Sequence, residues 1–301
     1  MKVDIIILSN TINDSVWLMN SNCIDSLLDS ENISLLGSIL IIETNANASY
    51  NYHPAVKVLK TNLPFNFNRF LNIGIAATNS EFVALCNNDL IFQKNWFSEI
   101  LKVYQKDPGI KSFSPIDYEY WLTPKERYPD STDFYLGYNI RTEVAGWCIV
   151  AKRDLFCQIG KLDERFDFYY ADNDYAMILY KYNIKHALCV KSHVKHLGSK
   201  SSRESVNLLH PNMLENRHEY LKKLPRYLLK DENSWIIKNP KMLEGYFKFH
   251  YKWGSEPSIR FRKKINRRLI KILKINLGKI LFASPINYIF SISLRMRNIL
   301  F

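Results

Sequence analysis

The stretch Glu81-Phe82-Val83-Ala84-Leu85-Cys86-Asn87-Asn88-Asp89-Leu90-Ile91-Phe92 is an apolar run that ends abruptly in three short polar side chains and then turns apolar again. Apolar runs of this length bounded by turn formers read as central strands of a parallel sheet. Open α/β sheets bind ligands at the carboxyl ends of their strands, which places Asp89 at the mouth of a site. Asn and Asp are also favoured turn residues, so an ordinary strand exit would use the same letters. The rest of the chain has to decide between the two.

Around that stretch strands, polar loops and helices alternate. Ile5 to Leu8 reads as a first strand, followed by a polar loop and a helix carrying Val16, Leu18, Met19, Cys23, Ile24, Leu27 and Leu28. Ser38–Ile42 and Val56–Leu59 read as further strands, Asn68–Ala77 as a helix, and Asn95–Gln105 as a helix stopped by Asp107-Pro108-Gly109. Residues 114–140 are rich in Tyr, Pro and Asp without periodicity, which predicts a loop-rich region lining a cleft. An apolar strand follows over Glu143–Lys152, then a helix opening near Tyr169 with Asp172 and Asp174 in its first turn, where the helix dipole favours acids. The last strand is expected over Ile184–Val190. This alternation predicts a Rossmann-like parallel sheet. No G-x-G-x-x-G follows the first strand, so a dinucleotide fingerprint is missing.

At 301 residues the chain is long enough for one large α/β domain with a tail or two modest domains. Its five cysteines are isolated, without the paired spacing of zinc sites or secreted disulfide scaffolds, and its first residues read as a strand and not as a signal peptide. A reducing, cytoplasmic compartment is expected. The net charge of +12 suggests nucleic acid until its location is considered. Eleven lysines and arginines lie between Arg260 and Arg297 without one acid, so the first 259 residues are nearly neutral. A nucleic-acid enzyme carries its positive field across the working face, and here it sits in the tail.

Several separated blocks match one family in order. Asn62 to Asp89, with Phe65-Asn66-Phe67-Asn68, Asn72-Ile73-Gly74-Ile75 and Asn87-Asn88-Asp89, resembles the first block of the family 2 glycosyltransferases. Gly146 to Phe166, Tyr170 to Tyr175 and Val194 to Ser199 are similar to its later blocks. The likeness covers roughly residues 3 to 205 and is nearest the bacterial enzymes of O-antigen and capsule synthesis. It implies a GT-A fold: α/β, a Rossmann-like mixed, mainly parallel sheet flanked by helices, here with a helical basic C-terminal extension. The expected domains are 1–205 for nucleotide-sugar binding and catalysis, and, outside the likeness, 206–256 for a helical extension and 257–301 for a basic amphipathic membrane-associating tail.

The implied chemistry is inverting transfer from a nucleotide-sugar donor, a UDP or dTDP sugar, to a glycan or lipid-linked acceptor. A departing nucleoside diphosphate needs a divalent cation or fixed positive groups. The resemblance gives Asp89 and His196 as ligands of Mn2+ or Mg2+, with Asn87 standing where the family's first acid would be and leaving the site one negative charge weaker. It gives Asp172 as the general base, with Asp174 as the alternative, and Ala171 replaces the family's preceding Glu. For the donor, the resemblance points to Asn10, Glu43, Arg69, Asn72, Asn87 and Asn88 together with Asp89. Gly146 and Trp147 are the candidate acceptor contacts, since sugars stack on aromatic faces. A catalytically inactive GT-A module serving as scaffold or glycan-binding subunit is the alternative.

The tail predicts a helix over 212–229, a short aromatic stretch over 235–251, and then a basic amphipathic helix after Pro257. Ile280 to Leu294 is apolar but interrupted by Pro285 and too short to span a bilayer, which needs about 20 residues. A basic amphipathic segment of this kind suits an anionic membrane surface, placing the protein peripherally on the inner face of the cell membrane. The tail is expected to be an appendage that contributes nothing to the chemistry.

Overall fold

The computed structural model describes residues 1–117, 132–198, 239–284 and 286. The chain divides into two compact units, Met1–Asp167 with Ile184–Arg203, and Phe168–Asn183 with Glu204–Phe301. The helix bearing Asp172 and Asp174 therefore belongs with the C-terminal residues, whereas the sequence boundary near 205 grouped it with the sheet.

The first unit is built on nine described strands: β1 Val3–Ser9, β2 Leu36–Glu43, β3 Val56–Lys60, β4 Phe82–Cys86, β5 Leu90–Phe92, β6 Ile110–Ile116, β7 Phe134–Leu136, β8 Cys148–Lys152 and β9 Lys185–His196. Their order is β3-β2-β1-β4-β8-β6-β9-β5, with β7 also on β9. Six of them run one way, while β5, β7 and β8 run against their neighbours, so the sheet is mixed and mainly parallel in direction. β1 and β4 are buried throughout, as their apolar runs demand. Asp4, the one acid in β1, is fully buried but not alone. It accepts from Ser38 N (2.7 Å) and Ser80 N (2.6 Å) and pairs with Arg153 (3.0 Å), tying the amino-terminal edge of the sheet together.

Four helices accompany the sheet: α1 Asp14–Ser30, α2 Phe67–Ala76, α3 Trp96–Lys106 and α4 Leu155–Ile159. α1 and α2 are capped by Asn13 and Asn66, whose side chains accept from Val16 N and Arg69 N. Gly74 lets α2 lie on β1, since a Cβ there would stand 2.5 Å from Ile6 Cγ2. β5, β6 and β7 were not read from the sequence, and β9 runs six residues past the expected end at Val190.

In the second unit α5 Ala171–Tyr182, α6 Pro240–Trp253, α7 Glu256–Leu273 and α8 Gly278–Leu281 pack together. α6 replaces the short aromatic stretch expected over 235–251, capped by Asn239 with Pro240 in its first turn. α7 is the expected basic helix, but it is no appendage. It buries Ile259, Arg262 and Asn266, with the Arg262 guanidinium donating to the carbonyls of Trp253 and Leu281 and lying 4.5 Å over the Phe282 ring. Asn266 Nδ2 donates to Tyr180 Oη of α5 (3.3 Å), and Phe282 meets the Tyr180 ring edge-on. The inward face of α7 carries an arginine and an asparagine, which is why hydropathy alone hid it. The helix expected over 212–229, residues 118–131 of the expected loop region and most of the apolar 280–294 segment lie outside the described residues. Among those described, no helix is long and apolar enough to cross a membrane.

Candidate active site

The carboxyl ends of β1, β2, β4, β6 and β9 deliver Asn10, Glu43, the Asn87-Asn88-Asp89 turn, Asp117 and His196 to one edge of the sheet. Beyond β4 the backbone continues its pairing with β8 for one residue, Asn87 N–H donating to Trp147 O (2.9 Å). The chain then turns through Asn88 and Asp89 into β5, which pairs antiparallel with the end of β9 so that Leu90 lies opposite His196. Leu197 N–H donates to Asp89 O (2.9 Å) and closes that ladder. Two residues more than a hundred positions apart are thereby brought together. Asp89 Oδ1 lies 3.2 Å from His196 Nε2, with the two side chains only 2% and 5% exposed.

Trp147 completes the pair on one side. Its ring stacks on the His196 imidazole with centroids 5.6 Å apart and planes 8° from parallel, fixing the imidazole orientation. The Trp147 Nε1–H is buried and has no acceptor among the described residues. Gly146 precedes it, half-buried, in the turn where Cys148 N–H donates back to Ala145 O (3.0 Å). Asp117, not singled out in the sequence, accepts the backbone N–H of His196 at Oδ2 (2.7 Å) and holds that strand end in place. It was missed because it follows β6, a strand the sequence did not reveal.

The remaining donor candidates divide into two networks. Asn88 is buried and donates to Asn20 Oδ1 (2.8 Å), and the Asn20 amide in turn reaches Ser9 Oγ, Thr11 Oγ1 and Tyr52 Oη at 2.8–2.9 Å. Glu43 ends this chain of bonds: its carboxylate accepts from Thr11 N (3.0 Å) and Asn45 N (2.8 Å) and is 1% exposed. As folded, Glu43 braces the β1–α1 loop and has almost no surface to offer a nucleotide base. Asn10, beside it, is half-buried. Asn20, Thr11 and Tyr52 carried no sequence signal beyond polarity.

Arg69 and Asn72 belong to the other network. Asn66, Asn68 and Asn72 donate to the carbonyls of Glu164 (2.7 Å), Asp163 (2.9 Å) and Leu162 (2.9 Å), while Leu162 N–H donates back to Asn72 Oδ1. Arg69 pairs with Glu164 (3.1 Å), and these hydrogen bonds from Arg69 and Asn72 hold the Glu164 carboxyl below the usual range. The asparagines of one motif block therefore clasp the backbone of the next.

In the second unit the two acids of α5 have different surroundings. Asp174 is buried, accepting from Trp253 Nε1 (2.7 Å) and pairing with Lys252 Nζ (2.7 Å). Asp172 is half-buried, its carboxylate accepting from the Asn173 N–H (2.9 Å).

Among the described residues no three His, Cys, Asp or Glu side chains converge to enclose a metal ion. The spacing of the Asp89–His196 pair nevertheless fits a divalent cation whose other ligands come from outside these side chains. Two neighbouring ligands each roughly 2.1 Å from one octahedral cation stand about 3 Å apart, close to the spacing here, and an oxygen with an imidazole nitrogen suits manganese.

No protein-family model matches the chain, and no curated protein does. Among solved structures it is similar to GalNAc-T7 crystallised with UDP, GalNAc and Mn2+, with a TM-score of 0.56 and 14% identity over 90% of this chain. The matched part is 58% of that protein, so this chain spans less than two thirds of its neighbour's length. At this identity the likeness establishes the fold, and the fold is that of the GT-A glycosyltransferases.

Proposed function

We propose that this protein is a glycosyltransferase moving a sugar from a nucleoside-diphosphate donor, a UDP or dTDP sugar, to a hydroxyl of a glycan or lipid-linked acceptor. The observation that carries this reading is the buried Asp89–His196 pair, 3.2 Å apart and capped by Trp147, at the carboxyl edge of the sheet. Support for the narrower placement, an inverting family 2 enzyme of bacterial surface-polysaccharide assembly, comes from the four motif blocks in order.

Asp89 and His196 would hold Mn2+ or Mg2+, which when bound supplies positive charge against the departing diphosphate. Trp147, the acceptor candidate, is buried as folded, and what its ring does there is hold the His196 imidazole by stacking. Asn88, through Asn20, and Asp117, through the His196 backbone, keep the pair in position. Inversion is a single displacement: the acceptor oxygen bonds the anomeric carbon, the bond from that carbon to the diphosphate oxygen breaks with its electrons leaving on phosphate, and the hydroxyl proton passes to a carboxylate, the role that the motif resemblance gives to Asp172. The burial of Asp174 against Trp253 and Lys252 supports giving that proton to Asp172 instead.

A panel of UDP and dTDP sugars, with Mn2+, Mg2+ or EDTA, tests the reading through release of nucleoside diphosphate. Turnover is expected with one donor class, depressed at least a hundredfold in Asp89→Ala and His196→Ala without loss of thermal stability. Silence with every donor and metal would favour the inactive-module reading, which the amide at Asn87 and the methyl at Ala171 support.

A further inference from the structure

The transferase reading makes no use of the outer face of α7. Its buried side is set by Ile259, Arg262 and Asn266, and those residues hold the helix to α5, α6 and α8 within the second unit. At 100° per residue, the opposite side carries Lys264, Arg268 and Lys271 on one stripe, all exposed, with Arg260 and Arg267 beside them. Along the next stripe lie Phe261, Ile265 and Ile272, of which Phe261 is 58% and Ile272 74% exposed. Leu273 at the end of the helix, Ile275 after it and Ile280 in α8 are also exposed, as are Lys274 and Lys279. From Pro257 to the end of the chain there is no acid.

Cations in one stripe and large apolar side chains in the next are the two halves of an interfacial helix. Lipid phosphates answer the first and the boundary of the acyl chains the second. A nucleic acid would answer only the cations and leave Phe261 and Ile272 in water; an acidic protein would need its own apolar groove to do both. We propose that the outer face of α7 docks on an anionic lipid bilayer, lying flat in its surface. The proposal stands whether or not the chain transfers sugar. Because Arg262 and Asn266 anchor the same helix inward, the docked surface is fixed to the helix that carries Asp172.

The test is vesicle flotation of the full chain with phosphatidylcholine alone or with a third of it replaced by phosphatidylglycerol, at low and physiological salt. Binding is expected only with the anionic lipid and should fall as salt rises. Each basic residue near such a surface is worth roughly fivefold in partitioning, so the combined Lys264→Gln, Arg268→Gln and Lys271→Gln chain should bind about a hundredfold more weakly. A Phe261→Ser, Ile272→Ser chain should lose the binding that persists at physiological salt. All these positions face solvent, and unchanged melting curves would confirm that the fold is kept. Equal binding to neutral vesicles, or anionic binding indifferent to both variants, overturns the proposal. So does tight nucleic-acid binding that the charge variant abolishes while vesicles go unbound, or concentration-dependent self-association that the Phe261→Ser, Ile272→Ser chain loses.

Discussion

Asp172 and Asp174 share the first turn of α5, two residues apart, and the structure gives them different environments. Asp174 is a buried acceptor for an indole and an ammonium, and Asp172 is half-buried. Asp174→Asn should lower stability by about 1–3 kcal/mol, the cost of leaving a buried hydrogen-bonded partner unmet. Asp172→Asn should leave the melting curve in place and reduce turnover by about 10² to 10⁴, as expected for a lost general base. Melting and single-turnover assays on the two variants separate the roles; near-normal turnover in Asp172→Asn with collapse in a stably folded Asp174→Asn would exchange them. His186 is a second residue whose environment decides its behaviour. Its ring lies fully buried between Ser112 Oγ (2.8 Å) and Glu143 O (3.0 Å), and burial pushes its pKa down to about 4. Below pH 6.5 the unfolded chain takes up a proton that the folded chain refuses, so stability falls with pH until about 4, by on the order of 3 kcal/mol. His186→Asn should flatten that part of the acid-unfolding curve relative to the parent, and identical curves would refute the assignment.

At the scale of elements, the parallel half of the sheet was legible because β1, β2 and β4 are apolar runs buried on both faces. β6 was not, because its sequence is Ile-Lys-Ser-Phe-Ser-Pro-Ile. The serines that make it look like loop are the ones the fold uses: Ser112 meets His186, and Ser114 Oγ accepts the Ala145 N–H (3.0 Å). Overlooking β6 hid Asp117. The extension of β9 was obscured by Lys191, His193 and Lys195, which alternate with buried residues and so mark a strand covered on one face only. The pair Asp89 and His196 was found through motif resemblance, while the β5–β9 ladder that joins them was not. Arg69 and Asn72 illustrate the opposite limit: a motif names the residues but not whether they meet a ligand or a backbone. Asn72 gives and receives hydrogen bonds with Leu162, so Asn72→Ala should cost about 2–3 kcal/mol by leaving a buried N–H and a carbonyl unmet. Denaturant unfolding would show it, with Arg69→Ala as the near-neutral comparison expected of an exposed ion pair.

Across the whole molecule, net charge concentrated in one terminal segment suggested an appendage that could be removed, and the packing of the second unit reverses that expectation. A chain ending at Ser255 would lose Ile259, Arg262, Asn266 and Phe282, all buried. Trp253 would lose the guanidinium on its carbonyl and the Phe282 ring 6.3 Å away, while Tyr180 of α5 would lose both Asn266 and Phe282. Deleting one large buried aromatic from a core costs about 3–5 kcal/mol, so amide exchange over residues 171–182 should accelerate more than about a hundredfold in the shortened chain. The triple Lys264→Gln, Arg268→Gln, Lys271→Gln chain keeps every buried contact and should exchange like the parent, which distinguishes lost packing from lost charge. Native protection of α5 in the shortened chain would mean that α7 contributes nothing to the second unit's core, and would return the segment to the role of a detachable tail.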